Sequence, residues 1–169
     1  SDEIKQTYLT ASLLSFYQQM KIYESSKVIL KPYLIEKPLM VFVGSSVNAV
    51  RKSSGKDVSD VVDVLLFIDG FIKSKTESIA NIEKILSFDS GLKTTKGVDI
   101  FENKFSFLEN IKLNASQLFD DMLNLIFNAS NGVLHIENLK GIDGEIALRI
   151  GENEYFGIIN VGDSDKLAK

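Results

Sequence analysis

The sequence predicts a mixed chain: an α/β layer at the front, built on one buried parallel-type strand plus helices, and an α+β part behind it that ends in a three-stranded antiparallel meander. Three observations carry that expectation. The apolar run Leu39-Met40-Val41-Phe42-Val43 stops at Gly44, the mark of a strand covered on both faces. Apolar residues recur at spacings of three and four along several stretches, the stripe of an amphipathic helix. The last third then switches to a period of two between glycine-bearing turns.

Taken in order, Ile4, Tyr8, Ala11, Leu14 (or Leu13), Tyr17 and Met20 predict a helix from Ile4 to Ile22, with Asp2 and Glu3 in the first turn, where the helix dipole favours negative charge. The polar break Glu24-Ser25-Ser26 is expected to end it. Pro32 and Pro38 push their preceding residues toward extended geometry, so residues 27 to 38 read as a strand or extended linker. The buried strand of residues 39–43 follows, then a polar loop from Ser45 through Lys56. A helix from Ser59 to Phe71 is expected to turn Val61, Val62, Leu65, Leu66, Ile68 and Ile72 inward. A second runs from Thr76 to Leu86, with Ser74 and Glu77 at capping-box spacing. Residues 89–99 hold two glycines and no periodicity, hence a loop and an internal boundary. Residues 101–111 are ambiguous between helix and strand. Asn114 and Gln117 then repeat the capping-box spacing before a helix with Leu118, Phe119, Met122, Leu123 and Ile126 on one side, stopped by Asn131-Gly132. The meander takes up residues 133–139, 145–150 and 155–161.

Composition excludes more than it identifies. With 169 residues, 44% of them hydrophobic, the chain is long enough to bury a core. Zero cysteines remove a disulfide scaffold, a thiolate zinc site, an iron-sulfur cluster and a cysteine nucleophile, and fit a reducing, cytoplasmic setting. One histidine, His135, leaves no pair for a two-histidine metal site. The uncharged stretches Gln6 to Met20 and Pro38 to Val50 are shorter than the ~20 apolar residues that span a bilayer, so no membrane association is expected. No basic segment followed by an apolar core opens the chain, so no secretory signal is expected. It begins without an initiator methionine directly in a helical pattern, as a piece of a longer polypeptide does. The net charge of -4 is uneven: residues 1–56 carry eight basic and four acidic side chains, and residues 57–169 carry eleven basic and nineteen acidic. That balance argues against a whole-surface nucleic-acid binder and leaves room for a local basic edge.

The candidate chemistry is sparse. The stretch from Gly44 to Asp57 ends in Gly55-Lys56 ahead of a helix, as a phosphate loop does. The earlier glycine and the magnesium-binding hydroxyl are replaced by Val50 and Asp57, however, and Asp57 repels phosphate. A basic loop at the carboxyl end of a parallel strand is still where open α/β sheets bind ligands. Arg51, Lys52 and Lys56 are therefore candidates for contact with a nucleic-acid backbone, against the plain alternative of a solvated loop. Ser45 and Ser46 lack the pattern of a nucleophile elbow. His135 alternates with Leu134 and Ile136 as a sheet histidine does. Glu137, Asp143 and Glu145 lack the following lysine of a metal nuclease and read as turn and strand carboxylates, while Asp120-Asp121 reads as a solvated helix face.

Three stretches in order, Glu36 to Asn48, Ser59 to Phe67 and Leu139 to Asp163, resemble the restriction subunit of type III restriction-modification enzymes, which are superfamily 2 helicase-like, ATP-driven DNA translocases and endonucleases. The resemblance covers about half of the residues, and the third stretch is its most specific part. It implies a partial RecA-like lobe, the start of the second motor lobe, over residues 1–73. Residues 74–169 are then a helical and β-meander insertion or continuation. It matches Leu39 to Asn48 to the strand and loop of the fourth helicase motif, which implies DNA-backbone contact for Ser45, Ser46 and Asn48, joined by Arg51, Lys52 and Lys56. Hydroxyl and amide groups suit that work because they hold phosphate oxygens without reading sequence.

The resemblance also implies what these residues leave out. The family's Gly-Lys-Thr phosphate loop, Asp-Glu box and late arginine motif have no counterpart here, so no catalytic residue, metal ligand or cofactor is expected in this piece. ATP and Mg belong to the parent enzyme, and the implied partners are DNA and the methylation subunits of the same system. The alternative is an interaction platform that docks the methylation subunits or the nuclease domain.

Overall fold

A computed structural model describes residues 2–43, 51–53, 56–58, 60–139, 141 and 144–160. It is an α+β arrangement: among the described residues, five α-helices, a three-stranded antiparallel sheet and a two-stranded hairpin. Helix α1 spans Asp2–Leu30 and runs into a 3₁₀ turn, Lys31–Tyr33; strands β1 (Arg51–Ser53) and β2 (Lys56–Val58) form the hairpin. Helices α2 (Asp60–Lys73), α3 (Lys75–Leu86), α4 (Ser106–Ile111) and α5 (Ala115–Phe127) follow, then strands β3 (Leu134–Asn138), β4 (Glu145–Ile150) and β5 (Gly157–Asn160). The chain divides into two compact units, Ser1–Val41 with Ser74–Leu125 and Phe42–Lys73 with Ile126–Lys169.

In the first unit α1 packs on α3 and α4. Its buried face runs Thr7, Thr10, Leu14, Tyr17 and Gln18, the three-and-four spacing of one helix side. The helix outlasts the polar break at residues 24–26. Ser25 returns its hydroxyl to the Ile22 carbonyl at 2.8 Å, and Lys21 pairs with Glu24 across 3.7 Å, so the polar side chains are held within the helix. Helical geometry stops at the 3₁₀ turn containing Pro32, and Leu34 leaves it at φ 54°. Ile82 and Ile85 of α3 are buried, as expected, but Ser74 makes no side-chain cap; only its carbonyl receives the Ser78 amide, at 2.9 Å. Residues 101–111 resolve as a turn followed by α4. The second capping box forms in full: the Gln117 amide donates to Asn114 Oδ1 at 2.9 Å, and the Asn114 amide donates to Gln117 Oε1 at 3.0 Å. Leu118, Phe119, Met122 and Leu123 of α5 are buried behind it.

In the second unit α2 buries Leu65, Phe67, Ile68, Phe71 and Ile72. Phe67 and Phe71, four residues apart, join Leu65, Ile68 and Ile72 on the inward side, while Val61 and Val62 are half-buried. Leu66 is exposed. A run of rings joins Phe71 to Phe127 at 6.3 Å and Phe127 to Phe156 at 5.0 Å, the latter edge-to-face. The meander is the expected one, in order β3-β4-β5, with Leu134 opposite Ile150, Ile136 opposite Leu148, and Ile146 opposite Ile159. Ile146, Leu148 and Ile150 are buried on one face, and Ala147 on the other. Gly132 opens the sheet at φ 132°. A Cβ there would meet Ile150 Cγ2 at 3.0 Å and the Gly151 amide nitrogen at 3.3 Å, which is why glycine follows Asn131.

The largest departure concerns the expected buried strand. Residues 39–43 are in no strand, and Leu39, Val41 and Val43 are 83%, 67% and 89% exposed. An apolar, β-branched run supplies the propensity, but a strand also requires a neighbour to take its backbone groups, and none pairs with it among the described residues. The buried parallel-type strand of the expected α/β layer is therefore absent here. No helix of the described residues is long and apolar enough to cross a membrane.

Candidate nucleic-acid interface

Ser45, Ser46 and Asn48 lie outside the described residues. Arg51 and Lys52 fall on β1 and Lys56 on β2, so part of the expected loop is a hairpin. Its register sets Arg51 opposite Val58, Lys52 opposite Asp57 and Ser53 opposite Lys56. Alternation along a strand puts positions 51, 53, 56 and 58 on one face and 52 and 57 on the other. The hairpin thus collects all three cationic positions within six residues of chain but divides them two and one. Lys52 is the ladder partner of Asp57.

The other polar constellations are closed among themselves. On the meander, Arg149 Nε donates to Glu137 Oε1 at 2.6 Å, its Nη1 reaches the Gly151 carbonyl and Glu152 Oε2, and the Tyr155 hydroxyl donates to Glu137 Oε2 at 2.8 Å. The Arg149 and Tyr155 hydrogen bonds hold the Glu137 carboxyl below its usual range, and the same carboxylate raises Arg149 and Tyr155. Glu137 is thus committed to closing the sheet rather than to a metal or an acid-base step. His135 sits directly opposite Arg149 in the ladder, the place of a sheet histidine. Asp143 lies outside the described residues.

The 89–99 loop is drawn together by Asp99. Burial alone would raise its carboxyl, but the Ser90 hydroxyl at 2.6 Å, the Phe101 amide at 2.9 Å and the Ser90 amide at 2.9 Å lower it below the ordinary value. The third cluster was not legible in advance. Tyr17, fully buried, donates its hydroxyl to Asp121 Oδ2 at 2.5 Å, and Lys21 meets the same oxygen at 3.0 Å. Burial first, and then the Asp121 contact, push the Tyr17 hydroxyl well above its ordinary range. Asp121 is therefore half-buried and ties α5 to α1, whereas Asp120 stays on the solvent side, paired with Lys75 at 2.7 Å. The one advance signal was position: Asp121 lies three residues after Leu118, at the border of the apolar stripe.

An open groove of about 390 Å³ lies beside α1, lined by Ser12, Ser15, Phe16 and Gln19 and by Leu39, Met40 and Val41. It brings no charged group together. Among the described residues no cluster of three or more His, Asp or Glu side chains is placed to hold a metal ion. Comparison with protein-family models, curated proteins and solved structures found no match to the chain.

Proposed function

We propose that the chain is a portion of the second, RecA-like motor lobe of a type III restriction subunit, and that its share of ATP-driven DNA translocation is backbone contact through residues 45–56. The observation that carries the reading is the basic hairpin, Arg51, Lys52 and Lys56, in the stretch next to the one that resembles the fourth helicase motif. Arg51 and Lys56 hold the face free of Asp57 and are the stronger phosphate contacts; Ser45, Ser46 and Asn48 add neutral donors. Phosphoryl transfer runs on positioning and electrostatics supplied by motifs these residues lack, so ATP and Mg belong to the parent and this piece supplies no chemical step. The reading further requires that Leu39–Val43, exposed here, be covered by other strands in the parent.

Fluorescence anisotropy with labelled duplex and single-stranded DNA tests it. Binding should weaken with salt at a log-log slope of about 2–3, the release expected for three cations, and Arg51→Glu with Lys52→Glu should abolish it. The purified chain should show no ATP turnover above buffer; robust turnover that survives repurification would overturn the assignment. A second reading, a platform for methylation subunits or a nuclease domain, is favoured by the exposed apolar residues Val28, Ile29, Tyr33 and Leu34. DNA binding indifferent to the double substitution would support that one.

A further inference from the structure

Among the described residues, the apolar run Leu39–Val43 has no sheet to join, and β3 is a sheet edge with no further strand beside it. Along the run Leu39, Val41 and Val43 alternate as one apolar edge, and the run enters no ladder among the described residues. The meander order β3-β4-β5 leaves the outer side of β3 without a partner among the described residues, with Val133 and Ile136 53% and 51% exposed. Open edges recruit extended segments, with main-chain hydrogen bonds giving affinity and alternate side chains giving register. The lengths agree, five residues against the five of Leu134–Asn138. The charges agree as well: residues 27–43 carry Lys27, Lys31 and Lys37 against Glu36, while the described meander carries Glu137, Glu145, Glu152 and Glu154 against Arg149.

We propose that the chain self-associates by strand addition, Leu39–Val43 of one copy pairing with the β3 edge of a second copy, and reciprocally. Reciprocal exchange makes the assembly a closed dimer rather than an open fibre. Opposite net charge steers the two surfaces together and excludes like against like. Leu39, Val41 and Val43 then lie beside Leu134 and Ile136 on the apolar face, while Glu137 keeps its hydrogen bonds to Arg149 and Tyr155 on the other. The inference uses none of residues 45–56, but it names a different occupant for the 39–43 run from the parent strands that the motor-lobe reading requires.

The absence of cysteine makes the test direct. Separately purified Val41→Cys and Ile136→Cys chains are mixed in a thiol-disulfide redox buffer and run on non-reducing gels, with Val41→Cys plus Thr95→Cys as the control pair. A mixed disulfide that forms well beyond the control supports strand addition between copies. A mixed pair no more linked than the control overturns it. A chain carrying both Val41→Cys and Ile136→Cys that closes only on itself also overturns it, because pairing is then within one copy. In parallel, sedimentation should find a dimer whose dissociation constant rises on the order of tenfold or more in Val41→Asp with Val43→Asp. The DNA affinity of that variant should be unchanged. A wild-type chain monomeric at every concentration, or a dimer indifferent to those substitutions while circular dichroism stays native, contradicts the proposal.

Discussion

Two stretches of this chain are equally suited to be strands, and only one of them is. Glu145–Ile150 has a ladder on each side and buries Ile146, Leu148 and Ile150, whereas Leu39–Val43, as apolar and as β-branched, has no ladder and stands exposed. Side-chain propensity is similar; what differs is whether neighbouring backbone takes the N–H and C=O groups. The meander has its neighbours within a few residues of chain, brought by turns at Gly144 and Gly151, both at positive φ. Among the described residues the 39–43 run has no hairpin partner next to it in sequence, so its strand is completed from elsewhere in the chain or by another molecule.

That contrast can be sharpened by truncation. Ile150, fully buried, should cost about 2–5 kcal/mol when changed to Ala, whereas Val41→Ala should change stability by no more than about 0.5 kcal/mol, both read by urea denaturation under dilute, monomeric conditions. A Val41 effect as large as that of Ile150 would break the comparison. Next in size is a loop whose polar groups are all met: Asp99→Ala orphans the Ser90 and Phe101 amides and should cost roughly 1–3 kcal/mol for each buried donor that finds no water. The sign with pH follows from the lowered Asp99 carboxyl. Its contribution is present above the ordinary carboxylate value of about 3.9 and disappears as pH falls through the lower folded value. The stability difference between wild type and Asp99→Asn should therefore be flat at neutral pH and shrink in acid. Smallest is the capping box, where Asn114→Ala should cost about 1 kcal/mol of α5, visible in the same denaturation series.

What was legible in the sequence follows the same division. Several local interactions were announced by the residues, namely the Asn114 and Gln117 exchange, the 118–123 stripe and the two-residue period of the meander, although the equally local Ser74 to Glu77 spacing formed no side-chain cap. Where it is distant, they did not. The Tyr17 to Asp121 contact joins residues 104 apart, so Asp121 read as solvated. Arg149 and Glu137 meet only once the β3-β4 register is set. The continuation of α1 past Ser25 rests on a back-bond that a polar triplet does not advertise. The 39–43 run misled because periodicity reports what a segment can bury, not whether anything is there to bury it. Of the candidate interface, the cationic positions were readable, but their division between two hairpin faces depends on a register that no composition encodes.

The most direct measurement of that difference is amide hydrogen exchange followed by mass spectrometry on the dilute chain. The account predicts strong protection across 145–150 and exchange near the unfolded rate across 39–43, with protection of 39–43 appearing as concentration rises. Protection of 39–43 equal to that of 145–150 in a dilute monomer would contradict it, because the run would then already possess its sheet.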